Sequence, residues 1–421
     1  MIMPNHEDNN IKDIRTLTPC ELNVNDLLGL ETLSPFSDIA LDFSAAFSRQ
    51  IMKRPEIRRF PEIVALADWL RPRNLAKIQA AYFKDADESR VFAARGIALH
   101  FAPANVDTIF LYSTMISCLV GNINIVRVSS RSGDQLRILI QVLSEVLNDK
   151  KFANLKSRLF VIQYEHNDLI TMRLSKIADV RVIWGGDNAV AKIRQFPLSM
   201  RGKDVVFPDR WSLAVLDTNA VSRLSDGELA TLSEKFCNDS YWFGQMACSS
   251  PQAVFWVESG PENRDVKARF WNSVSTAAQK FSDEVYPVDF VNKLVEQDQL
   301  AIDGLVEYIY KMPTNLASVG SLNAPDIVNI HEKHVGSGIF WEYTLESLEE
   351  LPRMLTSKSQ TISSYGISSE RWRTIARNHE INIDRIVPTG LALKFDAVWD
   401  GMDLLREFSR IIYIAESGLW H

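Results

Sequence analysis

The feature that most constrains this chain is an alternation of short apolar runs with amphipathic helical stretches between Gly96 and Leu216. Residues 97–101 are apolar, and a helical stretch over 107–119 follows, stopped by Gly121. Residues 123–128 read as a strand. Residues 135–147 read as a helix with Leu136, Leu139, Ile140 and Leu143 on one face. Three further runs, 159–163, 180–184 and 212–216, are separated by helical stretches at 168–177 and 188–196. Strands joined through helices of about three turns do not form hairpins. They run parallel, with crossover helices covering the sheet. The expected fold class is α/β and doubly wound, in the manner of a nucleotide-binding domain.

A chain of 421 residues exceeds one ordinary core. Residues 1–90 read as a mostly helical N-terminal region, and 91–220 as the dinucleotide-binding domain. A second lobe is expected over 221–388, opened by a capping-box pair, Ser225 and Glu228, before a helix carrying Leu229, Leu232 and Phe236. Its further elements are a strand at 253–257, helices from Asp265, over 289–310 and around 348–355, and a strand at 339–343. Residues 389–421 read as an arm that returns to the cofactor domain or to a neighbouring subunit.

Composition narrows the function classes. Hydrophobic residues at 46% and charged residues at 24% are the balance of a soluble globular protein. A net charge of -7 argues against nucleic-acid binding, which calls for a basic excess. No apolar run approaches the roughly 18 residues of a membrane helix. Residues 1–10 are polar and acidic, unlike a signal peptide. Cys20, Cys118, Cys237 and Cys248 have neither disulfide-framework nor zinc spacing, so no metal is expected and a reducing cytoplasm fits best.

Cys248 lies in the run Gly244, Gln245, Met246, Ala247, Cys248, Ser249, Ser250, Pro251, between a helix and a strand. Small and polar neighbours at an element end leave a sulfur within reach of substrate, and amide donors there lower a thiol's pKa. Burial as a small hydrophobe is the competing role, and the loop alone leaves both open. Cys118 and Cys237 fall on apolar helical faces and are assigned to packing. Gly185 and Gly186 follow the strand ending at Trp184, where bare backbone admits a phosphate or a flat ring, though a plain tight turn reads the same way. Asn105, after the first strand, is either an oxyanion donor or a helix cap. Arg127, Ser129 and Arg131, at the end of the second strand, suit an adenosine ribose or its phosphate, or simply a solvated loop. His331 and His334 have helical metal-ligand spacing but no evident third ligand, which favours a surface turn. Lys53, Arg54, Arg58 and Arg59 read as a solvated basic face, with attraction of an acidic carrier or a CoA phosphate as the alternative.

In order and spacing these segments resemble the aldehyde dehydrogenase superfamily, and within it the long-chain fatty acyl-CoA reductases of Lux-type operons. Pro103-Ala104-Asn105 and Gly121-Asn122 are similar to the superfamily's turn and helix end. Trp184-Gly185-Gly186 resembles its nicotinamide turn, and Gly244-Gln245 with Cys248 its nucleophile loop. Arg59–Glu62, Trp69–Arg71, Gln360-Thr361, Tyr365-Gly366, Arg385–Gly390 and Trp399–Gly401 resemble the reductases. The resemblance spans about residues 55 to 414. It implies an aldehyde dehydrogenase-like fold of two doubly wound lobes, with Cys248 as nucleophile and Asn105 as oxyanion donor. It further implies reduction of a fatty acyl-CoA to the aldehyde through an acyl-cysteine, cofactor contacts at Arg127, Ser129, Arg131, Gly185 and Gly186, and a homo-oligomer. The water-activating glutamate segment of hydrolysing relatives is missing near 207–210, where Asp209 is a poor substitute. Arg131 stands where relatives preferring NAD carry an acid, which favours NADPH over NADH. An acyl-transferring partner enzyme is an alternative acyl donor. Acyl phosphate reduction, a cysteine hydrolase and an inactive acyl-binding protein are the rival functions.

Overall fold

The computed structural model describes residues 13–87, 89–103, 109–130, 133–258, 260, 262–324 and 327–415. The chain forms two compact units, Met1–Pro208 with Phe395–His421, and Asp209–Lys394.

The first unit is built on a six-stranded sheet. Its order is Arg15–Thr16, Leu159–Gln163, Ile123–Arg127, Ile97–Phe101, Val180–Trp184, Lys203–Phe207. All neighbours are parallel except the first pair. From the central strand Ile97–Phe101 the chain steps outward on one side and then returns to the other. The reversal lies at the carboxyl ends of Ile97–Phe101 and Val180–Trp184, where doubly wound sheets open a crevice. Helix Ile109–Val120 is buried from Phe110 to Val120, and apolar residues predominate around its whole circumference. It shares one core with Phe43, Phe47 and Leu66 of the N-terminal helices and with Val126 and Val182 of the sheet. Leu99, Ile125 and Ile183 face the other way, onto Ile170, Leu174 and Val190. Gly121 ends the helix at φ +97, and a Cβ there would sit 2.1 Å from the Leu33 carbonyl oxygen. No side chain fits.

The boundary differs from expectation. The fifth parallel strand is Lys203–Phe207, not 212–216, and Trp211–Asp217 belongs to the second unit. An edge strand that opens on Lys203 and Asp204 lacks the continuous apolar signature of its buried neighbours. The chain therefore changes units at Pro208 and Asp209 instead of at 220, and returns at Phe395 instead of 389. The returning arm adds Ser409–Tyr413 antiparallel to Arg90–Ala94. Asn122 holds it: its Nδ2 donates to the Phe408 carbonyl at 3.1 Å while its Oδ1 accepts from the Gly96 amide at 3.0 Å.

The second unit carries seven strands in the order Val306–Ile309, Ser318–Leu322, Ile339–Leu345, Pro251–Val257, Trp211–Asp217, Ser359–Tyr365, Arg385–Pro388. Only Val306–Ile309 is antiparallel. The helix expected to reach 310 stops at Ile302, and the strands Val306–Ile309, Ser318–Leu322, Ser359–Tyr365 and Arg385–Pro388 are additional to the expected ones. The capping box of Ser225 and Glu228 is formed. One apolar layer gathers Phe236, Trp256, Trp271 and Phe340, and the opposite layer Trp211, Phe255, Leu351 and Ile362.

His100 gives the first unit an acid sensitivity. It is wholly buried between Ser113 Oγ and Asn124 Oδ1, each 3.1 Å away. Burial pushes its pKa down from 6.5 to about 4, against a smaller upward pull from Asn124. The folded state thus binds fewer protons than the unfolded state between those values, so stability is lost as pH falls from about 6.5 toward 4. The contribution is on the order of 3 kcal/mol. In His100→Asn the thermal midpoint is expected to fall less steeply over this range, and an unchanged slope would refute the assignment.

Candidate active site

The helix Asp226–Ser240 and the strand Pro251–Val257 are joined by the loop that carries Cys248. Phe243, Gly244 and Gln245 are left-handed in succession, at φ 58, 60 and 66. For the two residues with side chains this conformation costs about 1–2 kcal/mol each, and it persists only where surrounding bonds impose it. Gln245 supplies those bonds. Its wholly buried amide donates to the carbonyls of Pro251 (2.8 Å) and Ile339 (2.9 Å) and accepts from the Gly338 N–H (2.8 Å). Ser337 N–H donates to the Gly244 carbonyl at 2.8 Å. A Cβ on Gly336 would lie 2.2 Å from that same oxygen, so glycine is required there.

Cys248 itself is half-buried. Ser212 Oγ donates to its carbonyl at 2.6 Å and accepts from the Thr361 N–H at 3.0 Å. Gln360 Nε2 donates to Cys248 Sγ at 3.0 Å. The Gln360 amide is oriented by Thr361 Oγ1, which donates to Gln360 Oε1 at 3.2 Å, leaving the NH₂ turned to the sulfur. An N–H aimed at sulfur favours the thiolate over the thiol, the form that attacks a carbonyl. Cys118 and Cys237 are packing residues, as expected: burial raises the Cys118 thiol to about 12 and puts the Cys237 thiol higher still.

Ser212, Pro251, Ile339 and Gln360 all stand at the amino ends of their strands. The thiol therefore occupies the edge of this sheet opposite to the one where α/β proteins usually bind ligands. Beside it on the same edge, His331 lies between Asp209 Oδ2 (3.1 Å from Nε2) and Gln252 Oε1 (3.4 Å from Nδ1). Lys358 Nζ is 3.6 Å from the same Asp209 oxygen. The surface turn expected for His331 and His334 is not formed. His331 tilts against Trp211, and His334 is buried, with Nε2 directed at the Ile339 carbonyl at 3.3 Å. Among the described residues no group of three His, Cys, Asp or Glu side chains is arranged to hold a metal ion.

The residues expected to hold a cofactor belong to the first unit. Gly185 and Gly186 link strand Val180–Trp184 to helix Asp187–Arg194, at the strand-order reversal. Neither has a positive φ, so the turn itself does not demand glycine. A Cβ on Gly186 would meet nothing within 4 Å, and one on Gly185 only Ala189 Cβ at 3.4 Å. This is bare backbone at a helix N-terminus, which fits a dinucleotide. Trp184 stacks on Phe207 with 3.6 Å between ring centroids, firming the strand ends beneath. Arg127 lies over the Tyr164 ring at 5.5 Å, and the Ser129 carbonyl accepts from Gln163 Nε2 at 2.8 Å. Both stand at the carboxyl edge. Asn105 and Arg131 lie outside the described residues.

A family model described as acyl-CoA reductase (LuxC) matches residues 76–299, more than half the chain. The chain belongs to the LuxC acyl-CoA reductase family. This LuxC-family chain is thus an oxidoreductase. Solved structures carry the same architecture. A putative aldehyde dehydrogenase from Burkholderia cenocepacia aligns at TM-score 0.63 and 13% identity, covering 89% of this chain and 85% of that one. Lactaldehyde dehydrogenase from Escherichia coli aligns at 0.61 and 13%, covering 89% and 86%. Glyceraldehyde-3-phosphate dehydrogenase GapN from Methanocaldococcus jannaschii, complexed with NADP, aligns at 0.58 and 13%, covering 89% of each. At such identities the likeness establishes the aldehyde dehydrogenase-like fold alone. No curated protein sequence matches the LuxC-family chain. Among its described residues no helix is long and apolar enough to cross a membrane.

No local pattern in the sequence marks Gln360, Ser212 or Gln245 as the residues that hold Cys248 and its loop. The pair Gln360-Thr361 stood out only through resemblance, since nothing local to residue 360 signals a sulfur 112 positions away.

Proposed function

We propose that this enzyme reduces an acyl-CoA, a fatty acyl-CoA in the first instance, to the aldehyde with NADPH through an acyl-Cys248 intermediate. The observation that carries the reading is the Gln360 amide held on Cys248 Sγ at 3.0 Å, in a loop kept strained by Gln245. Family membership supports the thioester substrate.

The Cys248 thiolate attacks the thioester carbonyl carbon. A new C–S bond forms, the carbonyl π pair moves to oxygen, and collapse expels CoA as its thiolate. The Asn105 amide and the Cys248 N–H are the donors assigned to that oxyanion, each worth about 10²- to 10³-fold in rate. Arg127, Ser129, Arg131, Gly185 and Gly186 would hold a nicotinamide dinucleotide, which would supply the hydride. Cys248 then leaves the resulting thiohemiacetal carbon, which frees the aldehyde and restores the thiolate. Asp209, shared by His331 and Lys358, is engaged elsewhere, which supports release of the acyl group by reduction over release to water. Arg131 supports NADPH, since a guanidinium pairs with a 2′-phosphate. No disulfide joins the four cysteines, in keeping with a cytoplasmic enzyme. A homo-oligomer, and a partner enzyme that hands on activated acyl groups, complete the reading.

The test is an aldehyde-product assay over a panel of acyl-CoAs and acyl phosphates with NADPH or NADH. Aldehyde from acyl-CoA with NADPH preferred is the expected result. Turnover of acyl phosphate alone would overturn the thioester assignment, and turnover with NADH alone the cofactor assignment.

A further inference from the structure

A second feature of the first unit lies outside this chemistry. Helices Asp38–Met52 and Pro72–Phe83 flank a cavity of about 560 Å³. Four cations line it: Arg49, Lys53, Arg71 and Arg73. Its remaining wall is chiefly Ala45, Met52 and Pro72. This regroups the basic run noticed in the sequence. Lys53 faces the cavity, while Arg54 is drawn away to Glu145, with Nη2 2.6 Å from its carboxylate.

Like charges gathered at one hollow repel one another. Counter-charge is scarce here: among the described residues Asp68 alone meets Arg71 (3.1 Å) and Arg73 (3.8 Å). Among the described residues neither Arg49 nor Lys53 has a carboxylate partner. Arg49 and Lys53 gain from the carboxyl end of helix Asp38–Met52, which accounts for their position. Arg71 and Arg73 share the single carboxylate of Asp68 and gain nothing from a helix end. They flank the amino end of helix Pro72–Phe83, where the macrodipole disfavours cations, and that first turn holds no acid. An arrangement that costs free energy when empty is accounted for when an anion fills it, and guanidinium groups match phosphate in particular.

We propose that this cavity binds a small molecule bearing two or more neighbouring phosphates, and that an apolar or planar body, where one is attached to them, rests on Ala45, Met52 and Pro72. Two sources share that chemistry: a bisphosphorylated nucleoside, such as the one that ends coenzyme A, and a free polyphosphate.

Isothermal titration of the full chain with adenosine 3′,5′-bisphosphate and with inorganic pyrophosphate tests it. Saturable binding of either probe is expected, weakening as salt rises. In the double variant Arg49→Gln, Lys53→Gln that affinity is expected to fall about tenfold or more, the loss of two exposed ion pairs with phosphate. NADPH affinity and the thermal midpoint are expected to stay unchanged. Tighter binding of the bisphosphate assigns the nucleoside source, and equal binding of both probes assigns the polyphosphate. Absence of saturation by both, or affinity untouched in the double variant, overturns the proposal. Acylation of Cys248 is read by covalent labelling, so the fate of this site and that of the reductase reading are separable.

Discussion

Replacing Cys248 with serine is expected to abolish covalent capture of a radioactive acyl group from acyl-CoA and to lower aldehyde formation by on the order of 10⁴-fold or more, with NADPH binding expected to persist. A serine hydroxyl is close in size to the thiol but stays protonated near neutral pH, and one amide donor from Gln360 does not ionise it. The backbone bonds of the loop do not involve the sulfur: Ser212 Oγ reaches the carbonyl, and Gln245 holds the neighbouring strands. The fold is therefore expected to survive, with an unfolding midpoint within about a degree of the parent, because surface-like swaps away from packing lie within ±0.5 kcal/mol. Labelling on denaturing gels, with and without hydroxylamine to cleave thioesters, reads the outcome directly. A serine variant that still carries hydroxylamine-sensitive label would place the nucleophile elsewhere.

The second large effect is at Gln245, a residue that never meets substrate in this scheme. Alanine there strands the Gly338 N–H and weakens the bonding of the Pro251 and Ile339 carbonyls in a site closed to water. Leaving buried groups unpaired costs about 1–3 kcal/mol apiece, so a loss of roughly 3 kcal/mol from the second unit is expected. The left-handed stretch at Phe243, Gly244 and Gln245 then loses what holds it, and the thiol loses its register with Gln360. Denaturant titration followed by tryptophan fluorescence measures the first effect. The rate of Cys248 alkylation by iodoacetamide measures the second, and it should fall. Gln245→Glu keeps an acceptor for the Gly338 N–H but removes the donor and sets a carboxylate against the Pro251 and Ile339 carbonyls, and it should be no better than alanine. Parent-like stability in Gln245→Ala would show that the strain at this loop is held by other contacts.

Much of this organisation could be read from residue order. The alternation that predicts a parallel sheet, the Ser225–Glu228 cap and the stop at Gly121 are local signals, and the structure forms each of them. The loop of Cys248 is likewise legible as small and polar residues between a helix and a strand, and it joins those two elements in the structure. What the chain order concealed is pairing at long range. Whether the run at 211–217 joins the sheet before it or the one after it depends on neighbours not yet encountered along the chain, and Lys203–Phe207 took the place assigned to it. Asp239 is a similar case. It reads as one more polar residue near a helix end, yet it is buried and binds the N–H groups of Gly390 and Ala392 and the hydroxyl of Ser363. Burial pushes its pKa up to about 6 despite those donors. The motif at Arg385–Gly390 thus has a structural meaning that its own letters do not spell.

One feature of the fold bears on how the molecule is made. The second unit is a continuous stretch, whereas the first is interrupted by it and is completed only by residues from Phe395 onward. A ribosome has therefore delivered every strand of the thiol-bearing unit before it supplies Ser409–Tyr413, the partner of Arg90–Ala94. During translation the later half can settle while the earlier half still waits with an open ribbon, and that waiting strand carries exposed Val91. Truncation just short of residue 409 would accordingly leave the first unit, not the second, prone to aggregate.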